Sequence, residues 1–365
     1  MFHKKVIFGF FVVTLELYLV TLPHNALPFL PTVAQEDQED RNEDAGEEGD
    51  NQYLCDFKHI KKFDTKGKLI SSWGKTGTAN GEFIHPHAIA VDSKGGVYVT
   101  DEERQDVQKF DSNGTFITKW GSPGAGRGQF SGKIEDIGVD PSDNIYVVDY
   151  GNNRIEKFDA NGKFVTSWGS KGKGPGQFDR PWGVASDSDG NIYVTDQRNN
   201  RIQKFDNDGK FIMQWGKEGT AAGEFVHLHA IAIDRHDNVY VSDAREKTKV
   251  DKFAPSGKLI LSWGSPGEEN GQFIEHHGIT FDSTDKVYVA DTGNSRIQVF
   301  SPDGHFIGKW RSRGPGDDQF IMPQDLAIDS KDNIYISDVG VAHEEVGYIE
   351  RILEEMKDLT QGSCQ

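Results

Sequence analysis

Six of the chain's twelve histidines fall in three short stretches of like pattern. These are FIHPHAIAVD at residues 83–92, FVHLHAIAID at 225–234 and FIEHHGITFD at 273–282. The six are His85, His87, His227, His229, His276 and His277, each just before or inside a short apolar run. Neutral imidazole is the commonest transition-metal ligand, and three histidines with one open position describe a catalytic zinc centre. Residues so far apart in sequence can meet only if the fold gathers them, so the elements that carry them decide the matter.

Those elements repeat. Tryptophan recurs at residues 73, 120, 168, 215, 263 and 310, and aspartate at 101, 149, 196, 243, 291 and 338, with spacings of 47 and 48. Each unit reads as four short strands. In the third unit these are GVAS, NIYVTD, RIQKFD and KFIMQWG, called a to d. Alternating β-branched and aromatic residues fit half-buried strands, and DNDG, DANG and SPDG place glycine where a hairpin needs a positive φ. Four strands per 40–50 residues is the signature of a propeller blade. Residues 59–74 supply strands c and d without a or b, and residues 325–338 supply a and b without c or d. Joined, they complete one blade, which predicts an all-β, six-bladed propeller closed by pairing its two ends. The repeated Asp149/Arg154, Asp196/Arg201 and Asp291/Arg296 read as structural pairs tying the b–c turns.

Outside the repeat, residues 1–34 read as a signal peptide or a membrane anchor, with a basic start and an apolar run interrupted by Glu16. Residues 35–54 form an acidic linker without a core, residues 55–340 the propeller, and residues 341–365 a tail with helical spacing. Either reading of the N-terminus puts the body outside the cytoplasm, with membrane contact only through an anchor. The net charge of −18 disfavours nucleic-acid partners. Cys55 and Cys364 lie near the two ends that closure would join. A bond between them would contribute about 4–5 kcal/mol by the chain-entropy model, but spacing does not fix that they pair.

In a repeat protein, individuality sits in positions that vary between units. Just before the small residue of strand a, the six units offer His87, Asp136, Trp182, His229, His277 and Gln324. The residues one and two places earlier include His85, Glu135, Arg180, His227, Glu275 and His276. A ring delivers all of these toward one mouth of its channel. Trp182 and Arg180 there suit recognition of a peptide or sugar. No phosphate-binding glycine loop, Gly-x-Ser-x-Gly elbow or Cys-x-x-Cys pair is present. Glu135, Asp136, Glu275 and Asp325 are hard oxygen donors of the kind six-bladed lactonases use for a cation, but no lactonase motif accompanies them.

The unit P-x-G-I-A-V-D…N-I-Y-V-T-D…N-R-I-Q-K-F-D…W-G resembles the NHL-repeat family of β-propellers. The strand-a histidines are also similar to those of the peptidyl-hydroxyglycine amidating lyases. That second resemblance implies zinc on His87, His229 and His277, and it implies Tyr150 in VVDYGNNR as the catalytic tyrosine. Asp136 resembles the aspartate that precedes strand a in the same blade. Arg180 and Arg104 are the candidates for the lyase arginine. The three histidines come from the first, fourth and fifth units, whereas that family draws its ligands from alternate blades. Two functions are therefore expected to compete. One is binding of a peptide, protein or small molecule at a histidine-rich mouth, and the other is a zinc-dependent lyase acting there.

Overall fold

The computed structural model describes residues 58–339 apart from 245–247, 311–313, 315 and 317. The N-terminal segment, the acidic linker, both cysteines and the C-terminal tail lie outside the described residues. Within them, six four-stranded antiparallel sheets form a propeller.

Blade 1 consists of Pro86–Val91, Val97–Asp101, Asp106–Phe110 and Phe116–Trp120, running from strand a to strand d. Blades 2 to 5 follow in chain order. The sixth joins Pro323–Ile328 and Ile334–Asp338 to His59–Phe63 and Leu69–Trp73. Its joint is a full ladder, from His59 opposite Asp338 to Phe63 opposite Ile334. Closure therefore follows the plan read from the two incomplete units.

Strand b is buried along its whole length in all six blades. Sheets covered on both faces favour runs such as IYV and VYV over strict alternation. The core sits between blades. Tyr146 and Val148 of blade 2, for example, pack with Val184, Ile192 and Phe205 of blade 3. Strand d, on the outside, alternates instead, with Ile212 about half exposed between half-buried neighbours.

One contact explains two invariants of the repeat. Gly209, in the c–d turn of blade 3, has φ +85°, and a Cβ there would lie 2.5 Å from the indole of Trp168 in blade 2. Glycine alone accepts both the backbone and the approach. The Asp–Arg pairs form at 2.8, 2.8 and 2.6 Å in blades 2, 3 and 5. They do more than tie the b–c turn. Asp196 accepts the Asp179 N–H, and Arg201 donates to the carbonyls of Lys173, Gly174 and Gln177, so the pair clamps the d–a loop. That loop leads into strand a.

Candidate functional site

Strand a enters each of the six blades through a break in its pairing with strand b. In blade 1 the ladder skips from Pro86 to Ile89, in blade 4 from Leu228 to Ile231, and in blade 5 from His276 to Ile279. Such a bulge re-aims side chains. The N–H groups it frees are taken up by strand-b hydroxyls. Ala88 donates to Thr100, Gly183 to Thr195 and Ala230 to Ser242, at 2.9, 2.7 and 2.9 Å. The residue inside the bulge then faces the channel mouth.

Paired register now defines that position in every blade. Pro86, Ile134, Pro181, Leu228, His276 and Pro323 each lie opposite the closing aspartate of strand b. The next residue is His87, Glu135, Trp182, His229, His277 or Gln324. All six line a cavity of about 1030 Å³. A second ring comes from the residue after the closing aspartate, with Glu102, Tyr150, Gln197, Thr292 and Val339 on the same wall. Arg180, His85, His227 and Glu275 stand at the rim.

The imidazoles do converge. His229 and His277 have ring centroids 4.8 Å apart, and His87 and His277 are 6.1 Å apart. Trp182 lies flat on His229 at 4.2 Å with an interplanar angle of 6°. It meets Tyr150 edge-on at 6.0 Å, and the Arg180 guanidinium sits 5.4 Å above the Tyr150 ring. His87 Nδ1 lies 2.7 Å from the Glu135 carbonyl, which can only accept, so this nitrogen carries the proton. His277 Nδ1 bonds the Gln324 side chain. Neither ring nitrogen of His229 has a hydrogen-bond partner, nor does His277 Nε2.

Burial sets the charge states. It lowers His87 to about 4, with His277, His85 and Lys133 adding to the effect and Glu102 opposing it. His229 is pushed well below its ordinary value by burial and by the facing His277 and His227. Both are neutral at pH 7, with lone pairs available. Glu135 is held well above the usual carboxylate range by burial and by Glu102. Burial also opposes ionisation of Glu102, but His87, His85 and Lys133 outweigh it and keep that carboxyl low.

Two expected site residues lie elsewhere. His276 is fully buried, stacked 4.7 Å from Phe273, with Nε2 3.1 Å from the Lys249 carbonyl. Neighbours on a strand point to opposite faces, so His276 and His277 cannot both face the channel. Asp136 is one residue past the mouth position. It accepts the N–H of Ile137 at 2.7 Å and of Val184 in blade 3 at 2.8 Å, and so staples two adjacent blades. Asp325 does the same between blades 6 and 1, accepting from Ile89 at 2.9 Å. Arg104, the other candidate arginine, is held by Asp106 in blade 1 and does not line the cavity. Sequence reading missed Glu102, Lys133 and Gln197 as lining residues. Variation after the closing aspartate was the available signal for Glu102 and Gln197.

The NHL repeat model matches residues 178–205 and 277–300, and a model described as a 6-bladed beta-propeller matches residues 93–165. No curated protein matches the chain. Among solved structures, a virginiamycin B lyase from Staphylococcus aureus is 15% identical, with 77% of this chain and 82% of that one covered and a TM-score of 0.52. A gluconolactonase from Xanthomonas campestris is 13% identical over 71% and 88% of the two chains, with a TM-score of 0.52. A protein of unknown function from Bacteroides thetaiotaomicron is 17% identical over 77% and 73%, with a TM-score of 0.57. Identities this low show a shared fold and nothing finer.

Proposed function

From the premise that the chain is a six-bladed β-propeller with NHL repeats, we propose that it binds a small organic molecule or a peptide end at the histidine-rich mouth. The observation that carries this reading is the stacked pair of Trp182 and His229 on the cavity wall, with both imidazole nitrogens of His229 unpartnered. Buried polar atoms without partners cost about 1–3 kcal/mol each, a cost that a bound molecule offsets. Rim chemistry supports the same reading. Arg180 and Glu275 hold left-handed backbones, φ 56° and 51°, which side chains other than glycine adopt at some cost. Lys133, Arg180 and Arg198 set positive charge on a wall that also carries Glu102, Glu103 and Glu275. A zwitterionic or polar planar ligand suits such a wall. We place the protein outside the cytoplasm on the strength of its N-terminal sequence.

A thermal-shift screen of peptides, sugars and small metabolites tests the proposal, followed by titration of hits against Trp182→Ala and His229→Ala. Loss of binding in both, with the fold intact, supports it. Hits that bind these variants as they bind the parent refute it.

A zinc-dependent lyase is the second reading, favoured by one further observation. His87, His229 and His277 each keep a ring nitrogen outside any hydrogen bond, so the donor set fits a transition metal. A bound zinc ion would supply Lewis acidity. The chain's own residues would place Tyr150 and Arg180 together beside the substrate, as the 5.4 Å contact between them allows. Incubation with an α-hydroxyglycine peptide and assay for glyoxylate decides this reading, since no release from the metal-loaded protein ends it.

A further inference from the structure

On the same wall, His87 also faces two carboxylates. Its Nε2 lies 3.7 Å from a Glu102 oxygen and 3.8 Å from a Glu135 oxygen. Ligand atoms of all three residues fall within 4.8 Å of one another. The proton of His87 is committed to the Glu135 backbone carbonyl through Nδ1, so Nε2 presents a lone pair to the acids. Three groups able to donate an electron pair thus face one another, and the two carboxyls share a proton between them. Glu135 is 1% exposed, and no N–H or hydroxyl of another residue donates to its carboxyl oxygens. Two ionised carboxylates so close to each other need a proton or a cation between them, and a divalent ion can take the proton's place.

We propose that His87, Glu102 and Glu135 form a binding site for a divalent transition ion of the Zn²⁺ or Mn²⁺ class. One imidazole and two carboxylates suit these borderline ions better than soft Cu⁺ or an all-oxygen Ca²⁺ site. Bonds of about 2.1 Å give a tetrahedral edge of about 3.4 Å, so the observed 3.7 and 3.8 Å separations need to close by only a few tenths of an ångström. The second coordination layer is already built, because a ligating histidine ordinarily donates its other N–H to a carbonyl, as His87 does. This set shares only His87 with the three-imidazole set, and it requires neither a lyase activity nor an organic ligand.

Lys133 is the competitor. Its ammonium lies 3.3 Å from Glu102, on a side chain 55% exposed, where it partly neutralises the acids from the solvent side. It can swing outward when a metal enters. This gives the site a signature that a structural ion pair would lack, since removing the lysine should strengthen metal binding.

The full chain is stripped with chelator, dialysed and titrated with Mn²⁺ and Zn²⁺ by calorimetry, with Mn²⁺ spin resonance as a second readout. One equivalent is expected to bind. Glu102→Gln and Glu135→Gln should each weaken it by at least about tenfold, and Lys133→Met should tighten it by about tenfold. If Glu135→Gln does not fold, Glu102→Gln and Lys133→Met carry the test. Absence of binding by the folded parent overturns the proposal. So does metal that survives both glutamine changes but is lost in His229→Ala or His277→Ala, an outcome that would assign the ion to the three imidazoles. An unchanged or weakened affinity in Lys133→Met also counts against it.

Discussion

His276 offers a test in which burial, register and pH act together. The equivalent place in blade 4 holds Leu228, also fully buried and opposite the same aspartate of its repeat. His276→Leu therefore copies a solution the fold already uses. At pH 7.5 the variant loses one hydrogen bond to the Lys249 carbonyl, worth about 1 kcal/mol, and gains a comparable amount from the apolar side chain. The two proteins should then differ by no more than about 1 kcal/mol. Acid changes the comparison. Burial lowers His276 to about 3, while an unfolded histidine titrates near its ordinary 6.5. Above pH 6.5 both states are neutral and the residue has no pH effect. Below it the unfolded chain takes up a proton that the folded one refuses, so stability falls as pH drops from 6.5 toward 3. At pH 4.5 the loss from this one group is about 2.7 kcal/mol. The leucine variant cannot suffer it, whereas His87 and His229 contribute equally to both proteins and cancel. Urea unfolding at pH 7.5 and pH 4.5, followed by tryptophan fluorescence, should show the variant gaining about 2.7 kcal/mol on the parent between the two. A gain under about 1 kcal/mol, with equal denaturant slopes, would mean that His276 is not held neutral inside the blade and that the argument fails.

Other consequences are equally open to measurement. Gly209→Ala should cost about 2–4 kcal/mol, from the strained φ plus overpacking against Trp168. Gly190→Ala should cost only about 1 kcal/mol, because that position has a similar φ of +81° and nothing within 4 Å of the added Cβ; equal losses in chemical denaturation would discount the indole contact. Arg201→Met strips the partner from a buried Asp196 and should destabilise by about 3 kcal/mol or more, read from the same curves. Asp136 is held well above its ordinary range by burial and by Asp325. A raised carboxyl favours the fold fully at low pH and loses that advantage as pH climbs through the folded value. Asp136→Asn should therefore gain on the parent between pH 5 and pH 8, and a pH-independent difference would contradict the paired-acid picture.

The architecture was legible because its causes are local and repeated. Each tryptophan needs its facing glycine and each closing aspartate its loop N–H groups, so spacing alone announces six blades. The site was legible only where strand parity could be applied without error. His85 with His87 and His227 with His229 are two residues apart, share a face, and both pairs reach the mouth. His276 and His277 are adjacent, so the same rule allows only one. Blade 2 misled for a different reason. Gly132, at φ +68°, absorbs an extra residue in the loop, and strand a starts at Ile134. That moves Glu135 into the ring and Asp136 out of it. Glu102 stayed hidden because its place is defined by a turn, and its partner His87 stands fifteen residues earlier in the chain.

The shared sixth blade also governs how the molecule can be made. Lys61 finds its ion-pair partner, Asp338, only 277 residues later. The opening hairpin, His59–Phe63 with Leu69–Trp73, must wait for its partner strands while five complete blades come between them in the chain. Pairings so distant in sequence form slowly, and a nascent chain halted before residue 334 keeps the edge of His59–Phe63 bare for that whole time. Arrival of the last two strands is thus the event that covers this edge, and a chain stopped anywhere short of them keeps it exposed.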